Sequence, residues 1–470
     1  MNKGTFAILL VFLFSFYLSE SAAQQNENSD ETVLTLNQCI ELTLKNNSLR
    51  NVSGFAVRAA EARVKQAKSG GYPKLDASAG YLLMDQNPNF LFPGMRIEVP
   101  PINMGTFSVA PAPFTVPDQN VTLADKQTIS ASLELLFPLY TGGKITSYIE
   151  QAEAGLEIAK NEARENDEQI ILETKKIYYS LLLATKLESI AKEAVDRFTS
   201  TLKLTEATYK NGSGKVTKSD YLKNKTVTEA IKSIWIQIAG EKNIAAAALA
   251  HAIGFDWRTK IKISETDFPP VRGTSDLETL INSAVNQNPL FSKVENGKKV
   301  FEAKIDLAKS GRLPSVAMFG SYRKLFNSYD YGMMTPENKN VWMVGVGVQL
   351  NLFDGFLTSG LIEEADANLE KLNAQKDILT KGISMKVQYL FNKLKSSTEK
   401  ENASREAMNA AVEDRDLVEK AYFNDIMELK DLIQAQLTES IMKAQYEMVR
   451  YEWVVLDAEL QSVLAEGIKL

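Results

Sequence analysis

The sequence predicts an α+β chain that enters a membrane through strands and continues outside it as very long helices. Three observations carry this reading: an export leader, an internal twofold repeat, and four alternating segments of about ten residues set between proline-free helical stretches. At the N-terminus Lys3 precedes an apolar run from Phe6 to Leu18, and the small residues Ser21 and Ala23 follow. The run is too short to span a bilayer as a helix, so residues 1–23 are expected to be a signal peptide. No cysteine directly follows the cleavage site, so a lipid anchor there is not expected, although Cys39 lies not far downstream. The mature chain has no other apolar stretch of ~20 residues, and any membrane crossing must therefore use strands.

Composition narrows the chemistry. The 470 residues are 44% hydrophobic and 24% charged, a balance that supports a packed core. One cysteine, Cys39, cannot close an intrachain disulfide, and one histidine, His251, leaves no His/Cys cluster for a metal. His251 follows the small-residue run Ala245 to Ala250 and is expected to be structural. No catalytic Ser/His/Asp set can be assembled around it, and no GxxxxGK[ST] loop is present to cradle a phosphate. The expectation is a protein that is no enzyme and carries no cofactor. A net charge of −6 with a pI near 5.4 argues against nucleic acid as a partner.

Self-comparison reveals the repeat. EARVKQAKSGGYP at Glu61–Pro73 returns as EAKIDLAKSGRLP at Glu302–Pro314, and PLYTGGKIT at Pro138 returns as NLFDGFLTS at Asn351. The two offsets, 241 and 213, differ by 28, which places a 28-residue insertion in the first copy. The expected organisation is a first repeat over 24–254, a linker over 255–274 and a second repeat over 275–470. Each repeat holds a helix, two strands and a long helical hairpin.

The helices follow from what is missing. No proline lies between Leu139 and Phe268, or from Glu337 to the C-terminus, and only Gly155 interrupts the span from Gly143 to Gly212. A helix of nearly seventy residues, roughly 100 Å long, is allowed there. Apolar residues at Ile177, Leu181, Ala184, Leu187, Ala191, Ala194, Phe198 and Leu202 form one seam. Leu437, Ile441, Ala444, Met448, Tyr451, Val455 and Ala458 form another. An ordinary soluble coiled coil explains such seams equally well.

The strands decide otherwise. Leu75, Ala77, Ala79, Tyr81 and Leu83 alternate with Asp76, Ser78 and Gly80, and Ile129, Ala131, Leu133, Leu135 and Phe137 with Ser130, Ser132 and Glu134. Val316, Met318 and Tyr322, and then Trp342, Val344, Val346, Val348 and Leu350, repeat the pattern in the second copy. Four strands cannot close a barrel with an aqueous lumen, so the sheet must close across several chains. Between the first two strands the proline-rich stretch 86–127 is expected to be an outer loop, with a short polar counterpart at 327–340.

In their order and duplication these blocks resemble the TolC family of outer-membrane efflux proteins. The likeness rests on LTLNQCIELTLKNN at Leu34, KSGGYP and KSGRLP, FPLYTGG with NLFDG, and the YKNG and YFND turns. It implies a homotrimer whose chains each give four strands to a twelve-stranded β-barrel in outer-membrane lipid. The long helices would form a periplasmic tunnel that meets a periplasmic adaptor and an inner-membrane RND or ABC transporter, which supplies the energy. It also implies an aperture at the helix-to-helix turns, lined by Asp220, Tyr422 and Asp431. Asp425 stands where the family often has glycine, and Met427 replaces an expected basic residue. Independently of the resemblance, the first turn is basic at Lys210, Lys215 and Lys218, and the second is acidic at Asp425, Glu428 and Asp431. If the turns alternate around a ring, these charges would form a latch; the plain alternative is a solvated tip. The competing reading of the whole chain is an exported soluble coiled-coil scaffold.

Overall fold

The computed structural model describes residues 32–212, 216–273 and 275–466, so the leader expected over 1–23 lies outside the described residues. The first half begins with β1 (Thr32–Leu34), α1 (Leu36–Asn46), α2 (Ser48–Ser69) and β2 (Lys74–Leu83). A projecting arm of short strands follows: β3 (Asn89–Phe92), β4 (Met95–Glu98), β5 (Ile102–Met104), β6 (Phe107–Val109), β7 (Pro113–Val116) and β8 (Gln119–Thr122). The chain returns through β9 (Gln127–Tyr140), α3 (Lys144–Lys210) and α4 (Lys218–Ala252). The second half runs β10 (Ile261–Ile263), α5 (Leu277–Gln287), α6 (Pro289–Ser310), β11 (Ser315–Phe326) and the one-turn α7 (Pro336–Lys339). It ends with β12 (Asn340–Gln349), α8 (Leu357–Phe423) and α9 (Leu429–Val463). Helix lengths agree between the halves: 11 residues in α1 and α5, 22 in α2 and α6, 67 in α3 and α8, and 35 in α4 and α9.

The four long strands form one antiparallel sheet in the order β12-β11-β9-β2. Its register gathers the alternating apolar residues onto one face. Ala77, Leu133, Tyr322 and Trp342 lie in one row, and Phe137, Met318 and Val346 in another. The opposite face carries Asp76, Glu134 and Ser321 in one row and Ser78, Ser132 and Arg323 in the next, with the Ser78 and Ser132 hydroxyls 2.8 Å apart. Neither face is covered: Leu75 on the apolar face is 68% exposed and Leu82 on the other 56%. Among the described residues the outer edges of β2 and β12 pair with no strand. No described helix is long and apolar enough to cross a membrane.

The helices pack alongside one another below this sheet, α3 against α2, α4, α6 and α9, and α8 against α5, α6 and α9. The main core lies partway along them, where Tyr178, Leu182, Leu249, Leu394 and Trp453 are buried together with Cys39 and Phe268. Burial pushes the Cys39 thiol up to about 12, with Glu265 adding to the effect, so it behaves as a small apolar side chain. The segment between the halves is not irregular throughout: β10 pairs in parallel with β1. It is also clamped to the helices through Asp267, which sits 2.7 Å from Lys186 of α3 and 2.5 Å from Arg450 of α9. Burial opposes charge on Asp267, but Arg450 and Lys186 overcome it and draw the carboxyl down to about 2.

Two expectations need adjustment. The stretch 86–127, read as a loop, is largely a β arm, because its prolines divide the alternation into runs too short to register as strands. On α9 the expected seam is split. Ala458 is buried and Tyr451 packs on the core, whereas Ile441 and Met448 are 57% and 49% exposed. The face that α9 turns inward instead carries Gln436, Glu439 and Arg450 beside Leu432 and Trp453.

The sheet meets the long helices at two tight turns. Gly142 and Gly143 have φ of 63° and 87°, and their counterparts Gly355 and Phe356 have 65° and 68°. A Cβ on Gly142 would lie 2.7 Å from the Leu313 Cβ, so both conformation and space demand glycine there. Gly142→Ala is therefore expected to destabilise the protein by more than about 1 kcal/mol and to lower its thermal midpoint. Gly155→Ala, in open space on α3, should leave the midpoint unchanged or raise it.

Candidate functional site: the helical tips

The ends of the helical hairpins farthest from the sheet hold all the residues predicted to form an aperture. The first hairpin turns between Lys210 and Lys218, and the second between Phe423 and Leu429. Each outgoing helix ends on a left-handed residue, Gly212 with φ 64° and Asp425 with φ 58°. Asp425 thus occupies the conformation that glycine supplies in the first turn, one that aspartate tolerates better than most residues. Backbone bonds from Ile426 N–H to Ala421 O (2.9 Å) and from Asp425 N–H to Tyr422 O (3.1 Å) close the second turn.

Each returning helix starts on an acidic third residue that faces back to its first turn. Thr217 N–H and Oγ1–H donate to the Asp220 carboxylate at 3.0 and 2.7 Å, while Asp220 N–H donates to Thr217 Oγ1 at 3.2 Å. The side-chain and backbone bonds from Thr217 hold Asp220 below the usual carboxylate range. In the second turn Glu428 N–H donates to the Asp431 carboxylate at 3.2 Å. Both predicted aperture aspartates thus also cap helices, a role their spacing in the sequence could have disclosed.

The two tips share one groove. Thr208, Asp220 and Lys223 line it from the first hairpin, and Tyr422, Asp425 and Glu428 from the second. Tyr422 packs on Val418, Leu432 and Ala435, and burial followed by the nearby Asp425 raises its hydroxyl above the ordinary value. Asp431, Lys210 and Lys218 lie off this groove; Lys218 borders a separate depression with Leu222 and Thr226. Lys210 pairs with Glu206 on its own helix at 2.8 Å, and Glu428 with Lys430 at 2.8 Å. Lys215 lies outside the described residues.

Above the tips, beside an apolar cluster of Phe198, Ile231, Ile433 and Leu437, buried polar contacts stand within the first hairpin and between the hairpins. Asn224 Nδ2 donates to Thr205 Oγ1 at 3.0 Å and Gln436 Nε2 to Thr201 Oγ1 at 3.3 Å, all four side chains buried. Sequence reading missed the central group, Glu439, whose side chain is 2% exposed. It pairs with Arg197 of α3, with Arg415 of α8 at 2.9 Å and with Lys443 of α9 at 2.8 Å, so one carboxylate joins three helices from both hairpins. Its only signal in the sequence is a charge one turn before Lys443 and one turn after Ala435, on a stripe that runs through Leu432. Burial alone would raise the Glu439 carboxyl, but Lys443, Arg197 and Arg415 reverse this and hold it below the ordinary value. Among the described residues no His/Cys/Asp/Glu cluster could hold a metal ion.

Glu439→Gln would leave Arg415 and Arg197 without their buried counter-charge. The expected cost is on the order of 3 kcal/mol, moderated because Arg197 is 27% exposed, and it is measurable by denaturant unfolding. The pH dependence has a definite sign. Because the folded carboxyl titrates below the unfolded value of about 4.3, the stabilisation is complete above that value. It is lost as pH falls through the lower folded value, and the Gln variant should lack this acid-side loss.

Comparison with known proteins agrees with this architecture. Residues 39–255 and 280–466 match the family described as outer membrane efflux protein. The outer membrane protein TolC of Vibrio cholerae serotype O1 is 27% identical over 222 residues, 45% of this chain and 50% of that protein. The chain thus spans about half the length of that relative. The fold matches the CmeC outer membrane channel of Campylobacter jejuni with a TM-score of 0.69 at 15% identity, covering 92% of this chain and 86% of that one. It matches the outer membrane protein VceC of Vibrio cholerae with a TM-score of 0.69 at 16% identity, covering 92% and 96%. With the family match extending over both halves, the chain belongs to the outer membrane efflux protein family.

Proposed function

We propose that this protein is the outer-membrane exit duct of a tripartite efflux or type I secretion machine. Three copies would join their sheets, edge β2 to edge β12, into one twelve-stranded barrel. The observation that carries this reading is the four-stranded sheet itself, with continuous apolar rows on one face, the charged and hydroxyl side chains Asp76, Glu134, Ser132 and Arg323 on the other, bare on both and, among the described residues, unpaired at both edges. Lipid suits the apolar face and a water-filled lumen the polar one, while only further strands can satisfy the edges. A soluble exported scaffold would leave that apolar face in water, and the reading is set aside for that reason. The matching helix lengths support a duplicated unit, with 24–254 and 275–470 as its copies and 255–274 as the connection. Twelve helical segments in three copies would wall a periplasmic tunnel.

Passage needs no chemistry from this chain. An inner-membrane RND or ABC pump supplies the energy, and a periplasmic adaptor joins it to the tips. The tips act as the aperture: Asp220, Tyr422 and Asp431 sit at the constriction. Cross-chain pairing of Lys210, Lys215 and Lys218 with Asp425, Glu428 and Asp431 adds a latch worth ~0 to 1 kcal/mol per exposed pair. The Glu439 cluster, which ties the two hairpins, resists their separation.

Protein extracted from outer membranes should have the native mass of three chains and form channels in planar bilayers; a monomer alone would overturn the reading. A ring of three Asp431 carboxylates predicts cation preference. Asp431→Asn retains an acceptor for Glu428 N–H but removes the charge, so it should shift the reversal potential toward zero in a salt gradient. Asp431→Lys removes cap and latch together and should raise single-channel conductance. Unchanged selectivity and conductance in both variants would exclude Asp431 from the constriction.

A further inference from the structure

Two buried carbonyl oxygens near the tips accept no hydrogen bond among the described residues: Asn224 Oδ1 on α4 and Gln436 Oε1 on α9. Neither belongs to the aperture residues or to the Glu439 cluster. Asn224 is fully buried and Gln436 is 4% exposed. Both stand against one face of α3, on which Thr201 and Thr205 are also buried and lie a single helical turn apart, with Cβ atoms about 5–6 Å from each other. Gln436 brings the second hairpin to Thr201, and Asn224 meets Thr205 within the first. Phe198 stands next along α3 on the side away from the tips, and Leu432 next along α9 on the side toward them, so apolar clusters flank the seam in both directions.

The threonines fix the direction of every bond in this seam. Thr205 Oγ1–H donates to Thr201 O at 2.7 Å and Thr201 Oγ1–H to Arg197 O at 3.1 Å, so each hydroxyl has used its one proton on its own helix. It can only accept from the amide beside it. Asn224 and Gln436 must therefore present nitrogen to the threonines, at 3.0 and 3.3 Å, and turn their carbonyls elsewhere. Flipping either amide would set its oxygen against a hydroxyl oxygen with no proton between them. The cations one turn away, Arg197, Arg415 and Lys443, converge on Glu439 and are committed to it. A buried carbonyl that no donor reaches bears the full penalty of lost hydration, and here two of them lie side by side along α3.

We propose that this seam is a binding site for ordered water, held between Asn224 and Gln436, and that the water makes it the joint at which the second hairpin parts from the first. Its role as a joint rests on the aperture reading given above; its place as a water site rests on the residues of one chain alone. Water matches the unmet bonding. It offers two O–H groups to the two carbonyls, and its lone pairs can accept the second N–H that each amide keeps beyond its threonine bond. The spacing suits a shared molecule, since two acceptors bridged by one water stand about 4.6 Å apart, close to the separation of successive turns on a helix face. A groove lined by Thr201, Leu204, Phe423 and Gln436 runs beside the seam and gives water a way in. A water bridge is nearly as favourable as a direct bond and yields to displacement more readily, because further water replaces each bond as a gap widens. Glu439, one turn along α9, gives the closed form its geometry, while the wet seam lets the hairpins part without stranding dry polar groups.

A crystal structure of the full chain at a resolution that shows ordered solvent tests the site. Density for water at about 2.6–3.2 Å from both Asn224 Oδ1 and Gln436 Oε1 is the expected result. No density there, a protein donor on either oxygen, or a density whose height follows the concentration of a monovalent cation in the crystal would overturn it. Single-channel recording tests the joint. Asn224→Leu and Gln436→Met remove the acceptors at similar volume and should each lower open probability several-fold, because parting would then bare apolar surface. A shared water also couples the two sites, so the double variant should differ from the product of the single effects by roughly fivefold. Open probability equal to that of the native protein, or single effects that simply multiply, overturns the shared joint even where water is present. If the native protein itself forms no channel, the duct reading and the joint fall together, and the crystallographic result still decides the water site. Should the apolar variants fail to fold, Gln436→Glu, which keeps an acceptor but cannot donate to Thr201, should retain the water and raise open probability; loss of the water in that variant counts against the site.

Discussion

The unpaired backbone at the two edges of the four-stranded sheet is the constraint on which the rest of this structure depends. Every N–H and C=O directed outward from β2 and β12 needs a partner, and hydrocarbon provides none. A single chain can satisfy these groups only by borrowing strands, and the register gathers the alternating apolar rows, such as Ala77, Leu133, Tyr322 and Trp342, on one face. The lack of a covering layer, which would be a defect in a water-soluble sheet, is what a barrel wall requires. In the assembly proposed above, the helices leaving the sheet would stand side by side around a common axis, which would cover apolar residues such as Ile378, Met385 and Ile441 that one chain leaves exposed.

Along the helices the means of cohesion changes with distance from the sheet. The main core is apolar and broad, with Tyr178, Leu390 and Trp453 packed against the short helices and the β1–β10 ladder. Toward the tips smaller apolar clusters, around Phe198 and around Leu432, are joined by buried Thr, Asn and Gln and by a single carboxylate held by three cations. Apolar packing is strong in sum and tolerates small shifts. Buried polar contacts depend on geometry and lose most of their value once displaced, so they favour one arrangement and release it abruptly.

Some features were written openly in the residues and others were disguised. The 67-residue helices were evident because proline is absent and glycine rare over their whole length, and the barrel strands because apolar and small residues alternate for about ten positions. The arm was disguised by its own prolines, which cut each ladder to three or four residues and erase the alternation a reader looks for. Glu439 was disguised by its surroundings, since a glutamate four residues before a lysine reads as a solvated helical pair. The capping work of Asp220 and Asp431 was legible in Thr217 and Glu428, which stand three residues before them.

The chain's own order of residues determined which segments became helices and strands, how long they ran, and that a lone copy would have too few strands to enclose a pore. These depend on local periodicity and on backbone conformations that neighbours in sequence impose. Tertiary structure alone decided which face of α9 turned inward, that Glu439 met Arg197 and Arg415, and that Tyr329 braced the arm at Thr122. Those outcomes join residues more than twenty and up to more than two hundred positions apart. Such contacts arise from the simultaneous packing of several elements, and no period within one element encodes them.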